Sequence, residues 1–249
     1  MKTRFQPSPL RRLAAAVSLA AATTATASAA GLMDGLMDGQ NTIYLGVGYL
    51  QNHSSMSDLS GMNTPPGLNL DVGNAATLGF GYVRDLGGPW SFELALGVPP
   101  RVRTDAMGAN WAALGVSPGA GVTDVHVVSP TAFINYHFLG KSAKFDPFVG
   151  LGLNYTRFTD TTALSSLTSH LGPTAISLSD SWGPAAHAGM VYHIDQRWSV
   201  VATLGIADVN SDLTSTSYSP INPTLITSQG KTTIHFHPVV YTLALGYSF

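Results

Sequence analysis

Two histidines, His235 and His237, stand two residues apart and form the clearest pattern of metal ligands in the sequence. In an extended chain, alternate residues point to the same face, so both imidazoles would project together. A zinc or copper site needs three or four converging ligands. Only the distant His53 or His126 could complete such a set, and the chain has no cysteine. We therefore predict no metal site and no cofactor.

A second group, His53-Ser54-Ser55, has the residue types of a hydrolase, because a serine nucleophile needs a neighbouring base. Such a base is normally oriented by an acidic partner, and none is evident for this pair. Thiol chemistry is excluded by the absence of cysteine. We therefore predict no catalytic residue and no enzymatic activity.

The closing segment, residues 239–249, indicates which kind of element carries these residues. Apolar and aromatic residues alternate there with small or polar ones: Val239, Tyr241, Leu243, Leu245, Tyr247 and Phe249 share one parity. A period of two is the signature of a β-strand. A soluble sandwich strand could show it too, but a final Phe is typical of bacterial outer-membrane barrels. On that analogy we expect the barrel assembly machinery to recognise Tyr247 and Phe249.

The amino-terminal end has the three parts of a secretory signal. Basic residues come first, an apolar run follows at residues 13–22, and Ala27-Ser28-Ala29 fits a cleavage site. We therefore predict a signal peptide over residues 1–29, a flexible mature amino terminus over residues 30–40, and an outer-membrane β-barrel over residues 41–249.

The mature chain is acidic, because the signal contains four of the 12 Lys and Arg residues and none of the 14 Asp and Glu residues, which leaves a net charge of −6. Nucleic-acid binding normally needs a basic patch, so we predict no nucleic-acid partner. After the signal, the sequence has no run of about 18 apolar residues, which excludes a helical membrane span. A transmembrane barrel needs apolar residues only at alternate positions.

The period of two recurs about eight times after residue 40, which predicts an all-β fold, an eight-stranded antiparallel transmembrane β-barrel. Long and short connections alternate, as they do in outer-membrane barrels with short periplasmic turns and longer extracellular loops. We interpret residues 51–67, 99–122 and 209–230 as such loops, and expect a helical turn near 163–170 in another. Aromatic residues beside the short turns predict a membrane-interface girdle: Tyr82, Trp90, Phe138, Phe148, Tyr192, Trp198, Tyr247 and Phe249.

The inward parity consists mainly of glycine and other small residues. Eight strands leave an interior barely wide enough for side chains, so the glycines could relieve crowding, or they could keep a narrow lumen open. Dense charge rings of the kind that select ions are not seen, so a pathway would suit small hydrophobic or weakly polar solutes. Its predicted lining is Glu93, Ala95, Phe133, Asn135, His137, Asn154, His187, Thr203 and Gly205.

Residues 145–158 read F-D-P-F-V-G-L-G-L-N-Y-T-R-F, similar to the F-x-P-Y-V-G-x-G-x-N-Y-T-x-F pattern of the OmpW family of outer-membrane proteins. Shorter matches occur in the family's order: Phe92-Glu93-Leu94, Pro99-Pro100-Arg101, Ser129-Pro130-Thr131, Asp180-Ser181-Trp182-Gly183 and Gly246-Tyr247-Ser248-Phe249. The chain therefore resembles this family over nearly all of its mature length.

The resemblance implies an eight-stranded barrel whose hydrophobic lumen passes small hydrophobic molecules, with release sideways through an opening in the wall. Because prolines break ladder pairing, Pro99 and Pro130 are candidates for that opening, with Pro184 as a third, or they merely end strands. Family members can narrow the lumen with bulky inward side chains on the third and seventh strands. The matching residues here, Ala95 and Gly205, are small.

Two functions follow as expectations. The first is a passive outer-membrane channel that takes up small hydrophobic or weakly polar molecules and has membrane lipids and these solutes as its partners. The alternative is a structural or surface-recognition barrel whose extracellular loops bind a phage, a bacteriocin or a host molecule without transport. Equal uptake of a hydrophobic solute with and without the protein would favour the alternative.

Overall fold

The computed structural model describes residues 41–140 and 143–249. The predicted signal, residues 1–29, and the predicted mature amino terminus, residues 30–40, lie outside the described residues. Residues 42–248 form one unit, and the backbones of Asn41 and Phe249 hydrogen-bond to each other at 3.3 and 2.9 Å. Within the described ranges, no helix has the length and apolar character needed to cross a bilayer.

The described chain is built almost entirely from strands. In chain order they are β1 (Asn41–Gln51), β2 (Ser54–Met56), β3 (Ser60–Met62), β4 (Asn69–Val72), β5 (Ala75–Gly87), β6 (Trp90–Gly97), β7 (Arg101–Met107), β8 (Gly121–Val128), β9 (Thr131–His137), β10 (Phe145–Ala163), β11 (Thr174–Leu178), β12 (Ser181–His193), β13 (Trp198–Ala207), β14 (Val209–Tyr218), β15 (Ile226–Phe236) and β16 (Val239–Ser248). A 3-10 helix covers Ala109–Leu114, and helix α1 covers Ser165–Leu171, where the sequence predicted a helical turn.

Eight of these strands form the closed antiparallel barrel that the sequence predicted. Their order around the ring is β1, β5, β6, β9, β10, β12, β13 and β16, with β16 paired back to β1. The outward parity is apolar and exposed, as Leu45 at 66% and Leu151 at 73% illustrate. Side chains alternate between the two faces of a strand, so these residues form the lipid-facing band of a transmembrane barrel.

Aromatic residues surround the barrel near the short turns. Ring centroids are 5.1 Å apart for Trp90 and Tyr136, and 5.0 Å apart for Trp198 and Tyr247. The prediction that Phe148 belongs to this girdle is wrong, because Phe148 points inward and is 3% exposed. Phe145, three residues earlier on β10, takes the outer position instead. Recognition of Tyr247 and Phe249 by assembly machinery stays a prediction.

The long connections are not irregular loops, contrary to our expectation from the sequence. They form two outer sheets: β4, β7 and β8 join the distal half of β10, while β2, β3, β11, β14 and β15 form the other. Here apolar residues face inward and make a core that includes Val102, Val125, Leu213, Ile234 and Trp111. The outer layer is therefore packed like a soluble β-protein, while the membrane layer has its apolar face outside.

The strands break where the two layers meet. One break, at Gly73-Asn74, separates β4 from β5. Even-numbered residues face inward in β4, whereas odd-numbered residues face inward in β5. Continued back from Leu78, the period of two predicts that Leu70 and Val72 also face outward, but both are buried in the outer core. That outward placement of Leu70 and Val72 is wrong, because an irregular residue pair interrupts the period of two.

The β12–β13 turn provides a first prediction. Asp195 Oδ1 accepts the backbone N–H groups of Arg197 and Trp198, each at 2.7 Å, and these bonds lower the Asp195 pKa below 3.8. Since the carboxylate is the favoured form in the folded turn, its contribution to stability is present above pH 3.8 and is lost as pH falls through the depressed pKa. Asp195→Ala should lower the urea midpoint slightly at pH 7.

The control for this prediction is the same comparison of urea midpoints at a lower pH. The difference between the Asp195→Ala and wild-type urea midpoints should shrink at a pH below the depressed Asp195 pKa, where both proteins lack the carboxylate. A difference that stays constant with pH would show that the turn does not depend on this charge.

Candidate functional site: a lumen cavity above a polar floor

The membrane barrel encloses a cavity of about 200 Å³. Small residues from six strands line it, together with threonines and valines. The glycines among them are Gly48, Gly79, Gly81, Gly97 and Gly205. The lining is mainly apolar, with a few polar groups. An apolar cavity of roughly 150 Å³ in another protein holds a benzene molecule, so the space suits a small apolar solute.

The inward glycines have two different roles, and the structure separates them. A Cβ added at Gly79 would meet only the Leu96 carbonyl oxygen, at 3.8 Å, and one at Gly205 would meet His187 Cβ at 3.4 Å. A Cβ at Gly150 would instead lie 2.1 Å from Asn135 Oδ1. Open glycines therefore maintain the cavity, while crowded glycines admit neighbouring side chains. Of the two interpretations that the sequence allowed, an open lumen describes glycines such as Gly79 and Gly205, and relief of crowding describes glycines such as Gly150.

A polar group forms part of the cavity floor. Asn135 Nδ2 donates to Glu93 Oε2 at 2.7 Å, and Asn135 Oδ1 lies 2.7 Å from His187 Nε2. Because Oδ1 can only accept, His187 Nε2 carries the hydrogen and donates. The His187 ring stacks on Phe133 with centroids 3.8 Å apart and an interplanar angle of 9°. Glu93 and His187 thus face the cavity in fixed orientations.

A second polar group closes the barrel beneath this floor. His137 Nε2 is 2.9 Å from Ser91 Oγ, and His137 Nδ1 is 2.6 Å from Asp146 Oδ2. The order serine–histidine–carboxylate matches that of a hydrolase, but Ser91 is fully buried and does not line the cavity. Phe148 packs beside the group with Val191 and Val201. The group is a structural closure at the periplasmic end.

A third polar group lies where the strands break. Asn154 Nδ2 donates to Ser129 Oγ and Thr131 Oγ1, at 2.8 Å each, and Thr156 Oγ1 donates to Asn154 Oδ1 at 2.7 Å. These bonds tie β10, which runs through both layers, to the ends of β8 and β9. Asn154 therefore supports the Ser129-Pro130 break and also lines the cavity.

The barrel wall is interrupted beside the cavity. The β6–β9 ladder ends at Ala95 and Thr131, and pairing resumes between β7 and β8. Pro99 and Pro130 lie in this interval and have no N–H to donate. The cavity extends to the interval, because Val98 and Ser129 are among its lining residues. The sequence-predicted prolines are therefore next to the lumen, between the third and fourth membrane strands.

Two smaller cavities, of about 70 Å³ each, continue through the outer layer. The first shares Leu50, Val127 and Pro238 with the lumen cavity. The second shares Leu70 and Leu213 with the first. The three cavities therefore adjoin one another along the protein and share mainly apolar walls.

Seven of the nine predicted pathway residues line the lumen cavity: Glu93, Ala95, Phe133, Asn154, His187, Thr203 and Gly205. Asn135 and His137 are instead buried in the two polar groups below it. The small residues Ala95 and Gly205 leave the cavity open at the positions that the resemblance marked for a constriction. Passage of solutes along these residues stays a prediction.

Two residues of the buried group beneath the floor, Ser91 and Asp146, are absent from the predicted pathway. Ser91 shares the inward parity of Glu93, and Asp146 shares that of Gly150, so extending each inward face to the strand end would have found them. Asp146 belongs to the strand and not to the preceding turn, because β10 begins at Phe145.

The histidines considered as metal ligands have separate partners. His235 Nδ1 is hydrogen-bonded to Asn210 Oδ1, and His237 Nε2 lies 3.6 Å from Asp208 Oδ1. In the described part of the chain, no three His, Cys, Asp or Glu residues converge as a metal site would require.

Comparisons with known proteins agree with the barrel. The sequence model of the OmpW family matches residues 38–249. Outer membrane protein W of Vibrio cholerae serotype O1 is 24% identical over 212 residues, which cover 85% of this chain and 89% of the relative. Outer membrane protein W of Escherichia coli K12 is 30% identical over 136 residues, or 55% of this chain and 60% of the relative.

Solved structures show the same fold. The crystal structure of OprG from Pseudomonas aeruginosa has a TM-score of 0.72 and 22% identity, covering 84% of this chain and 95% of OprG. The solid-state NMR structure of AlkL in DMPC bilayers has a TM-score of 0.56 and 21% identity, covering 84% of this chain and 90% of AlkL. At these identities the likeness concerns the fold alone.

Proposed function

Because the chain belongs to the OmpW family of outer-membrane barrels, we propose that it is a passive channel for small hydrophobic or weakly polar molecules. One observation carries this proposal: a mainly apolar cavity of about 200 Å³ lies inside the membrane barrel and is kept open by glycines. A purely structural barrel of eight strands could fill this space with side chains.

The adjoining outer cavities supply an entry route. Their shared walls, which include Leu50 and Leu213, are mainly apolar, so a hydrophobic solute would leave water one cavity at a time. A solute that moves inward along them reaches the lumen cavity at the level where the strands break. Transport is passive in this proposal, because it needs only the free energy of transfer from water to an apolar site.

Release sideways into the membrane is the exit that we propose. The buried Ser91–His137–Asp146 group and Phe148 occupy the barrel below the cavity, so movement straight to the periplasm would require displacing them. The interrupted pairing at Pro99 and Pro130 lies beside the cavity, which supports it as the place of exit. A hydrophobic solute would gain by entering the bilayer there.

Uptake of ethylbenzene by a Gram-negative host that expresses the protein tests this proposal. We expect faster uptake than in the same host with an empty vector. Replacing both prolines, Pro99→Val with Pro130→Val, restores two N–H donors to the interval and should let the β-ladder extend. Uptake by the double variant should then fall several-fold.

Pro184→Val is the matched control, because Pro184 lies inside β12, where pairing continues on both sides. Its uptake should equal that of the wild type. Equal uptake with and without the protein would contradict the channel and favour the recognition barrel. Uptake that persists in the double variant would contradict lateral release and leave the channel proposal standing.

A further inference from the structure

We propose that Glu93 is the recognition group of the lumen cavity and selects solutes that carry a primary amine on a small apolar body. This inference rests on the proposed function, since it assumes that the cavity accepts solutes. It adds a chemical preference that an apolar lumen alone would not have.

Glu93 is the one acidic residue among the lining residues of a cavity that contains no Lys or Arg side chain. Its side chain is 12% exposed, and it projects from β6 into the barrel beside Asn135 and His187. A carboxylate in such surroundings is costly unless it is paired and hydrogen-bonded. A solute that hydrogen-bonds to the Glu93 carboxylate would therefore be bound more tightly than one that leaves it without a partner.

The internal partners of Glu93 all use one oxygen. Asn135 Nδ2 donates to Oε2 at 2.7 Å, and His187 Nε2 is 3.9 Å from the same atom. His187 donates its Nε2–H to Asn135 rather than to Glu93. Among the described residues, Oε1 has no hydrogen-bond partner. One carboxylate oxygen is therefore free to accept a hydrogen bond from a ligand.

Asn135 and Phe133 make this acceptor rigid. Asn135 is held on both sides, by Glu93 and by His187, and His187 is in turn stacked on Phe133. A preorganised acceptor loses little entropy when it binds. An ammonium group would provide both the missing donor and the missing countercharge, and charge-assisted hydrogen bonds of this kind are shorter and stronger than neutral ones.

Benzylamine and ethylbenzene are suitable probes, because they have nearly the same shape and differ in a terminal amine or methyl group. Protein labelled with ¹⁵N and held in lipid nanodiscs is titrated with each compound. The side-chain amide resonances of Asn135 report on the Glu93 contact directly. We expect benzylamine to shift them at concentrations about 10- to 100-fold lower than ethylbenzene does, the range of one hydrogen bond to a charged group.

Glu93→Gln is the decisive variant, since glutamine keeps the size of Glu93 and one acceptor oxygen for Asn135, while it replaces the free carboxylate oxygen with an uncharged NH2 group. The 10- to 100-fold preference for benzylamine should disappear. Asp71→Asn is the control for overall charge, because Asp71 is an exposed acid on β4 that lies outside the cavity lining. This variant should retain the preference.

Equal responses to the two probes in the wild type, or an undiminished preference in Glu93→Gln, would overturn the inference. Ethylbenzene uptake by cells, measured as described above, reports on the proposed function separately. Uptake without amine preference would refute the role of Glu93 alone. Amine-selective binding without any uptake would refute the channel and leave the binding site intact.

Discussion

Gly205→Phe is expected to reduce ethylbenzene uptake at least tenfold, to the level of a host without the protein. A Cβ at Gly205 meets no atom closer than 3.4 Å, and the position lines the lumen cavity of about 200 Å³. A phenyl ring there would occupy the space that a small aromatic solute needs. Because the added side chain enters an empty region, the barrel should still fold. Uptake rates and the heat-dependent mobility of the folded barrel on gels measure the two effects.

Ala202→Phe is the matched control on the same strand. Ala202 is exposed on the lipid-facing side of β13, so the same side chain is added outside the barrel. Wild-type uptake is expected for this variant. If folded Gly205→Phe also kept wild-type uptake, solutes would not pass through the cavity, and the channel proposal would lose its main support.

The membrane strands could be predicted from the sequence because their signal is local. Leu45 and Val47, for example, alternate with Gly46 and Gly48, and this period of two assigns a face to each residue without knowledge of its neighbours. The same rule correctly placed Glu93, His187 and Gly205 inside. Extending it two residues further along β10 would also have placed Phe148 and Asp146 inside.

The outer layer was harder to predict, because its strands carry the opposite pattern. In β7, Val102 and Ala106 face inward and Arg101 and Arg103 face solvent, which is the arrangement of a soluble protein. The Ser- and Thr-rich strand β14 has few apolar residues to mark it as a strand. The structure of β14 depends on its pairing with β11 and β15 rather than on its own composition. Such pairing joins residues that are far apart in the sequence, so a local pattern does not reveal it.

Contacts across the barrel were beyond sequence analysis for the same reason. Gly48 and Gly150 are both inward glycines with apolar strand neighbours, and nothing in the sequence near either one distinguishes them. Gly150 is crowded because Asn135 and His187 arrive from the two adjacent strands, β9 and β12. The difference between a residue that keeps a cavity open and one that makes room for a polar group therefore depends on register.

Gly150→Ala should be among the most destabilising single-methyl changes in the barrel. The new Cβ would lie 2.1 Å from Asn135 Oδ1 and 2.4 Å from His187 Nε2, the two atoms that form the central bond of the floor. Overpacking of an interior costs about 1–3 kcal/mol, and separating a buried donor from its acceptor costs about 1–3 kcal/mol more. We expect the free energy of unfolding to fall by about 2–6 kcal/mol, measured from urea unfolding in lipid or detergent.

Gly48→Ala makes the corresponding change in β1 and serves as the control. Its Cβ would meet Thr77 Cγ2 at 3.5 Å, an ordinary contact, and replacing a strand glycine by alanine stabilises by roughly 0.5–1 kcal/mol where the conformation allows it. The two variants should therefore change stability in opposite directions. If both were neutral, the Glu93–Asn135–His187 group would be able to move away from Gly150. The rigid acceptor on which amine selection depends would then be absent, even in a barrel that still transports.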